Sequence, residues 1–398
     1  MIRRRIRSVC GVDSGTLNRS CRAARPLDGG FPISHPTLKT VSRTLAATLI
    51  ASITAACSSS GTTSGSTNSS APPAATAQPG TLTAAYTPEP FTDAMVREEP
   101  WTFAQAEGRI FNTPHYRIHT TVDEPIMLDR VPRFVEAALL RYTSALGDLP
   151  MPNRQMTVFL MDNRRQWEAK TREVLPREAD LLTSIGRGGF ATNGMTLLYD
   201  LDWGGRTRDT FAITAHEGWH QYTQTVFRNR LPVWLEEGIA TWMEGHRMSG
   251  DDDPEFLPYR NSERWRTLRR AMYRRDWMIP LDELLSRSPQ EFLTDSKYRL
   301  LVYYAQVWAL AHFIIDGNDG EYRDGLERLL QDAAHGRLRE TVANTPEVRA
   351  QLGGRRRAMS SRSGPWLIYA YFTNDLDEFE ASYQEFMVDL VRRRDLRR

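Results

Sequence analysis

Two histidines and a glutamate lie close together in the segment His216-Glu217-Gly218-Trp219-His220. On a helix, side chains four residues apart project from one face, so His216 and His220 are suited to bind one metal ion. Glu217 would then point to the side of that pair, where it can reach a water on the metal without being a ligand. The spacing therefore predicts a metal-binding helix that carries its own general base.

A third ligand can come from a second helix a short way along the chain. The segment concerned is Leu231-Pro232-Val233-Trp234-Leu235-Glu236-Glu237-Gly238-Ile239-Ala240. Pro232 suits the start of a helix, which puts Glu236 and Glu237 in its early turns. Gly238 removes a side chain where two helices must approach closely. Packing of this helix against the first one would bring one carboxylate to the metal.

Zinc is the metal that these residue types favour. Imidazole and carboxylate ligands suit zinc, and a catalytic zinc site has three protein ligands and a water. Zinc would bring the pKa of that water toward neutrality, and Glu217 would take its proton. Cysteine ligands are not expected, because all three cysteines precede the globular region: they are Cys10, Cys21 and Cys57.

The two segments together resemble the gluzincin metallopeptidases, the class of thermolysin and aminopeptidase N. Within that class the chain looks most like the bacterial peptidase MA-like domains, over about residues 100–390. The resemblance implies that His216, His220 and Glu237 are the zinc ligands. It also implies that Glu217 is the general base.

A tyrosine is the expected donor to the oxyanion of the reaction. Tyr304 begins a segment, 304–310, that resembles the helix in which aminopeptidase-type relatives keep such a tyrosine. A hydroxyl donor beside the developing negative charge is what a tetrahedral intermediate needs. Tyr303 is adjacent and is the alternative donor.

Two other positions of the site stay open. Glu236 is the alternative to Glu237 as third ligand, although Glu237 matches the E-G-x-A pattern of the family. Many relatives have an acidic residue four positions after the third ligand that supports the ligands, and here that residue is Thr241. Glu244, nearly two turns beyond Glu237, is the nearest acidic residue on the same helix, so the supporting residue is not assigned.

Hydrophobic periodicity predicts an α+β fold. The segments with a clear pattern are the strand 116–121, the helix 131–146, the strand 156–161 and the hairpin 188–201. Asn193-Gly194 suits the turn of the hairpin, and a strand there could bind an extended peptide at the sheet edge. After residue 207 we expect mainly helices. This order predicts a small N-terminal mixed sheet followed by a mainly helical C-terminal half, and the resemblance makes it a thermolysin-like zincin catalytic domain.

The N-terminal region has the features of an export signal. Residues 44–56 form an uncharged, apolar-to-small run of 13 residues, too short to span a bilayer as a helix but suited to a signal-peptide core. Small residues lead to Cys57, which resembles the cysteine that bacterial lipoproteins acylate. An ordinary secretory signal or a buried apolar segment is the alternative.

These features divide the chain into three regions. We expect a signal region at 1–57, a disordered tether rich in Ser, Gly, Thr, Ala and Pro at 58–90, and a zinc metallopeptidase-like domain at 91–398. The domain would be exported and lipid-anchored at Cys57 in the bacterial cell envelope, on the periplasmic or extracellular side.

Charge and motifs together limit the functions that the protein can have. The 51 basic and 49 acidic residues nearly balance, so composition gives no reason to expect a nucleic-acid partner. We expect a membrane-tethered zinc peptidase that hydrolyses bonds in a peptide or protein substrate. The alternative is a non-catalytic envelope lipoprotein that holds zinc for structure or binds peptide without cutting it. Glu217 favours the enzyme, because a structural site needs no base.

Overall fold

The computed structural model describes residues 91–184, 188–201, 208–248, 253–352 and 364–393. The expected signal region with Cys57 and the expected tether lie outside these residues.

Within the described residues, a six-stranded sheet occupies the N-terminal half. Its strands are β1 (Arg97–Phe103), β2 (Ala106–Asn112), β3 (Tyr116–Thr120), β4 (Met156–Met161), β5 (Gly189–Thr192) and β6 (Met195–Tyr199). Their order across the sheet is β1-β2-β3-β4-β6-β5. β4 is parallel to both of its neighbours, whereas the other neighbouring pairs are antiparallel. The expected mixed sheet is confirmed.

The hairpin formed by β1 and β2 was not expected from the sequence. Its turn residues Ala104 and Gln105 have positive φ angles of 48° and 71°, a conformation usually filled by Gly, Asn or Asp. Most of β1 is also exposed, so no apolar alternation marks it as a strand. The β5–β6 hairpin, by contrast, turns at Asn193 and Gly194 with φ angles of 52° and 72°, as the sequence indicates.

The helix expected at 131–146 begins earlier. It is α1 (Pro125–Ser144), and the Glu124 side chain caps it by accepting a hydrogen bond from the Met127 backbone N–H at 2.6 Å. Pro125 at the first position is compatible with that start. Before Val131 this helix has a single buried residue, Met127, so periodicity alone placed the start late.

Helices dominate the described chain from residue 208 onward. The remaining helices are α2 (Arg164–Val174), α3 (Ala179–Thr183), α4 (Arg208–Val226), α5 (Val233–Met243), α6 (Ser262–Tyr273), α7 (Leu281–Ser286), α8 (Pro289–Asp295), α9 (Lys297–Asp316), α10 (Arg323–His335), α11 (Leu338–Asn344), α12 (Pro346–Leu352), α13 (Trp366–Tyr371) and α14 (Leu376–Arg392). A pair of short strands, β7 (His246–Arg247) and β8 (Glu255–Phe256), lies between α5 and α6. The order confirms an α+β chain with a helical C-terminal half.

Helix α4 lies between the sheet and the other helices. It packs against β5 and β6 on one side and against α1 and α5 on others. The Tyr142 hydroxyl of α1 donates to the Ala215 carbonyl at 2.7 Å. A Cβ on Gly218 would lie 2.5 Å from that hydroxyl, so only glycine leaves room for this contact.

Helix α5 is held between α4 and α9. A Cβ on Gly238 would lie 2.9 Å from the Val307 carbonyl oxygen of α9, which accounts for the glycine at this position. Among the described residues, Lys297–Gly320 is long and apolar enough to cross a membrane, but 89% of its apolar window is buried inside the protein. The apolar character of α9 therefore serves the core against which α5 packs.

Gly238→Ala tests the close approach of α5 and α9. In an unhindered helix this change stabilises by roughly 0.5–1 kcal/mol. Here the added methyl group meets a backbone carbonyl, so we expect a loss of about 1–3 kcal/mol in the free energy of unfolding. Urea denaturation measures the change, and a gain in stability would contradict the packing described.

Candidate metal centre

Three of the residues expected to bind metal meet in one buried cluster. His216 and His220 come from successive turns of α4, and Glu237 comes from α5. Their candidate ligand atoms all lie within 4.8 Å of one another. Glu237 Oε2 is 3.3 Å from His216 Nε2 and 3.6 Å from His220 Nε2. This arrangement could hold a metal ion.

The buried atoms of the cluster fit such an ion. His220 Nε2 and Glu237 Oε2 are both buried and have no hydrogen-bond partner. A buried polar atom without a partner is costly, and most such atoms in folded proteins are satisfied. A cation between the two imidazoles and the carboxylate would satisfy both atoms.

Carboxylates orient the two imidazole rings by accepting hydrogen bonds from their Nδ1 atoms. The Nδ1 of His216 donates to Glu244 Oε1 at 3.0 Å, and the Nδ1 of His220 donates to Glu236 Oε1 at 3.1 Å. A hydrogen bond at Nδ1 fixes the tautomer that leaves Nε2 free to bind metal. Glu236, the alternative third ligand, thus supports His220 and also accepts from the Thr223 hydroxyl at 2.6 Å.

Glu244 fills the supporting position that the sequence left open. Arg264 Nη2 donates to its Oε1 at 2.9 Å, and Asn261 Nδ2 donates to its Oε2 at 2.6 Å. Burial alone would raise the pKa of Glu244, but Arg264 and His216 outweigh burial and bring the pKa to about 2. Thr241 instead donates its hydroxyl to the Glu237 carbonyl of its own helix at 2.9 Å.

Arg264 and Asn261 are the site residues that sequence reasoning missed. Both come from the start of α6, where Asn261 is the N-cap and accepts a hydrogen bond from the Arg264 backbone N–H at 3.3 Å. Arg264 is 2% exposed, although arginine is almost never buried without a partner. No motif links these residues to the ligands, so only the fold reveals them.

Glu217 lies beside the cluster but is not part of it. Its side chain is fully buried, and burial raises its pKa, while the imidazoles of His216 and His220 oppose that rise. The Ala191 backbone N–H of β5 donates a hydrogen bond to the Glu217 carboxylate. This bond holds the Glu217 carboxylate against β5, within electrostatic reach of both imidazoles.

The sequence left open that an extended peptide could bind at the edge of this same strand. At Ala191 the carbonyl also has a partner, since Gln224 Nε2 of α4 donates to it at 3.1 Å. Both main-chain groups of Ala191 are therefore bonded to side chains of α4. A substrate strand would have to displace or share these contacts to pair with β5 at this residue.

Tyr304 lies closer to the cluster than its neighbour Tyr303. Its ring centroid is 6.4 Å from that of His216, whereas Tyr303 stacks on Phe292 at 5.0 Å. Both hydroxyls are buried and lack a hydrogen-bond partner. Burial, with the charge of Glu237, raises the pKa of Tyr304 well above its ordinary value, so the hydroxyl keeps its proton. Of the two tyrosines, the geometry favours Tyr304 as a donor.

Metal binding can be measured directly. We expect one divalent ion per chain after exposure to zinc and removal of excess metal, because the described residues bring three ligands together. The double variant His216→Ala, His220→Ala should lose that ion, whereas His335→Ala, at an exposed histidine of α10, should keep it. Elemental analysis decides, and an undiminished metal content in the double variant would place the ion elsewhere.

The comparison with known families points to the same part of the chain. Residues 210–335 are similar to a family described as a protein of unknown function, DUF1570. This segment runs from the first turn of α4 to the end of α10 and contains all three candidate ligands. No curated protein and no solved structure matches the chain.

Proposed function

We propose that this protein is a zinc-dependent peptidase of the thermolysin-like zincin type. One observation carries the proposal: a buried carboxylate, Glu217, lies beside a buried His-His-Glu cluster without belonging to it. A metal site that only stabilises a fold needs no such group. A hydrolytic site needs it, because a water must lose a proton as it attacks.

The donor set supports zinc over other common metals. Two imidazoles and one carboxylate match the ligand set of catalytic zinc sites and leave a coordination position open. Softer metals would favour thiolate ligands, and harder ones would favour oxygen ligands alone. Bound zinc would supply a Lewis acid that polarises the scissile carbonyl and acidifies a water.

The residues of the chain would then divide the remaining chemistry. Glu217 takes the proton of the attacking water and passes it to the leaving amine, and its bond from Ala191 keeps the carboxylate in place. Tyr304, which remains protonated, donates its hydroxyl to the carbonyl oxygen as negative charge develops there. Glu236 and Glu244 hold the histidine rings in the orientation that leaves each Nε2 free to bind the metal.

We also propose that the domain is exported and anchored to the cell envelope by a lipid on Cys57. The apolar run 44–56, the small residues before Cys57 and the Ser-, Gly- and Pro-rich stretch after it support this location. In that case the substrate would be a peptide or protein outside the cytoplasm.

Replacement of the base separates an enzyme from a binding protein. Glu217→Gln keeps the size of the side chain but cannot accept the proton, so turnover of a peptide substrate should fall by roughly 10²–10⁴-fold. Zinc content should stay near that of the wild type, because the three ligands are unchanged. Glu237→Ala is the contrasting variant and should lose metal and activity together. Equal cleavage by Glu217→Gln and wild type would refute the assigned mechanism.

The adjacent tyrosines provide a matched pair for the oxyanion donor in the same assay. Tyr304→Phe should retain zinc and lose roughly 10²-fold in kcat, since it removes one donor to the oxyanion. Tyr303→Phe removes an equally buried hydroxyl and should leave kcat nearly unchanged. The reverse result would assign the donor to Tyr303.

The anchor is tested on the protein made in a bacterial host. The mature protein should partition into detergent and carry a lipid on Cys57 as its first residue. Cys57→Ala should be released or left unprocessed. A mature N-terminus at another residue, determined by mass spectrometry, would rule out the lipoprotein.

A further inference from the structure

A cavity opens directly beside the metal ligand Glu237. It has a volume of about 170 Å³ and lies between the C-terminal end of α4, the loop that leads to α5 and the β5–β6 turn. Glu237 and Glu236 form one part of its wall, so a peptide bound at the metal would place a neighbouring residue in it.

One side of the cavity is apolar. Phe227, Leu231 and Val233 line it. The Phe227 ring is held edge-on by Trp219 and Tyr222, with centroids 6.2 Å and 5.8 Å away. An apolar wall of this kind suits a hydrophobic side chain of a ligand. Because the wall is already held in place, little free energy is lost in ordering it when the ligand binds.

A positively charged side chain, that of Arg230, also lines the cavity. Arg230 lines it, is exposed, and makes no hydrogen bond or ion pair with any residue in the described part of the chain. The other charged residues of the wall are already engaged. Glu236 accepts from His220 and Thr223, and Glu237 belongs to the metal cluster.

The backbone on either side of Arg230 is anchored to another part of the fold. The Asn229 backbone N–H donates to the Ala333 carbonyl at 2.9 Å, and the Asn229 side chain accepts from the Leu338 N–H at 3.1 Å. Leu231, on the other side, is buried in the core. Arg230 is thus presented from a fixed loop into the cavity.

We propose that Arg230 binds a carboxylate of the peptide substrate while the apolar wall receives a hydrophobic side chain beside it. This inference rests on the proposed peptidase function and names the substrate class: peptides with a carboxylate near the scissile bond. That carboxylate comes either from the free C-terminus or from an Asp or Glu side chain. A guanidinium matches a carboxylate with two parallel hydrogen bonds, which gives direction as well as charge.

The test uses the zinc-loaded full chain and three libraries of short random peptides. The first library contains no Asp or Glu and ends in an amide, so it has no carboxylate. The second is identical but ends in a free carboxylate. The third ends in an amide and contains one Asp or Glu. The rate of peptide loss is followed by mass spectrometry for wild type, Arg230→Gln and Arg228→Gln.

Arg228→Gln is the matched control. Arg228 is an exposed arginine of the same loop that does not line the cavity. Neither substitution removes a described side-chain contact, so both variants should fold as the wild type does.

We expect the wild type to consume the second or the third library roughly five- to tenfold faster than the first, as suits a partly exposed ion pair. The faster library identifies the source of the carboxylate. Arg230→Gln should abolish the preference, and Arg228→Gln should retain it. Equal rates for all three libraries in an active wild type, or an unchanged preference in Arg230→Gln, would overturn the inference and leave the peptidase standing. A wild type that consumes no library would overturn both.

Discussion

The close approach of α5 to α4 and α9 decides where the Glu237 carboxylate lies. Gly238 faces the Val307 carbonyl with no room for a side chain, and Glu237 is the preceding residue. The close packing of α9 against Gly238 fixes the orientation of α5. It therefore also sets the direction in which the Glu237 side chain points. It brings the carboxylate toward the histidines of α4 and places Tyr304 of α9 on the same side. One contact between helices thus relates the elements that carry the candidate chemistry.

The helix contact brings an excess of negative charge together in the protein interior. Four carboxylates, those of Glu217, Glu236, Glu237 and Glu244, surround two imidazoles. Arg264 pairs with one of these carboxylates, that of Glu244. Buried acids that outnumber their cationic partners destabilise a folded chain. A divalent ion at the cluster would offset much of this negative charge, so metal binding and folding should be coupled.

Local sequence predicted those features that local sequence controls. The histidine pair depends only on helical spacing, the β5–β6 turn depends on Asn193 and Gly194, and both were found where expected. The support of the ligands was not predictable, because Asn261 and Arg264 reach Glu244 from a different helix. Nor was the occupied strand edge at Ala191, which depends on Gln224 of α4 being packed against β5. The β1–β2 hairpin was missed for another reason, since its turn uses Ala104 and Gln105 in place of the usual residues.

The two outer strands of the sheet have a further consequence, for the behaviour of the folded protein in a crowded solution. An open strand edge recruits strands from other molecules, and proteins avoid this with prolines, charges or a covering element. β1 carries Pro100, which has no N–H to donate, after the exposed charged residues Arg97, Glu98 and Glu99. On the opposite edge, Glu217 and Gln224 bond both main-chain groups of Ala191. The side chain proposed for proton transfer therefore also helps to block the addition of further strands at this edge.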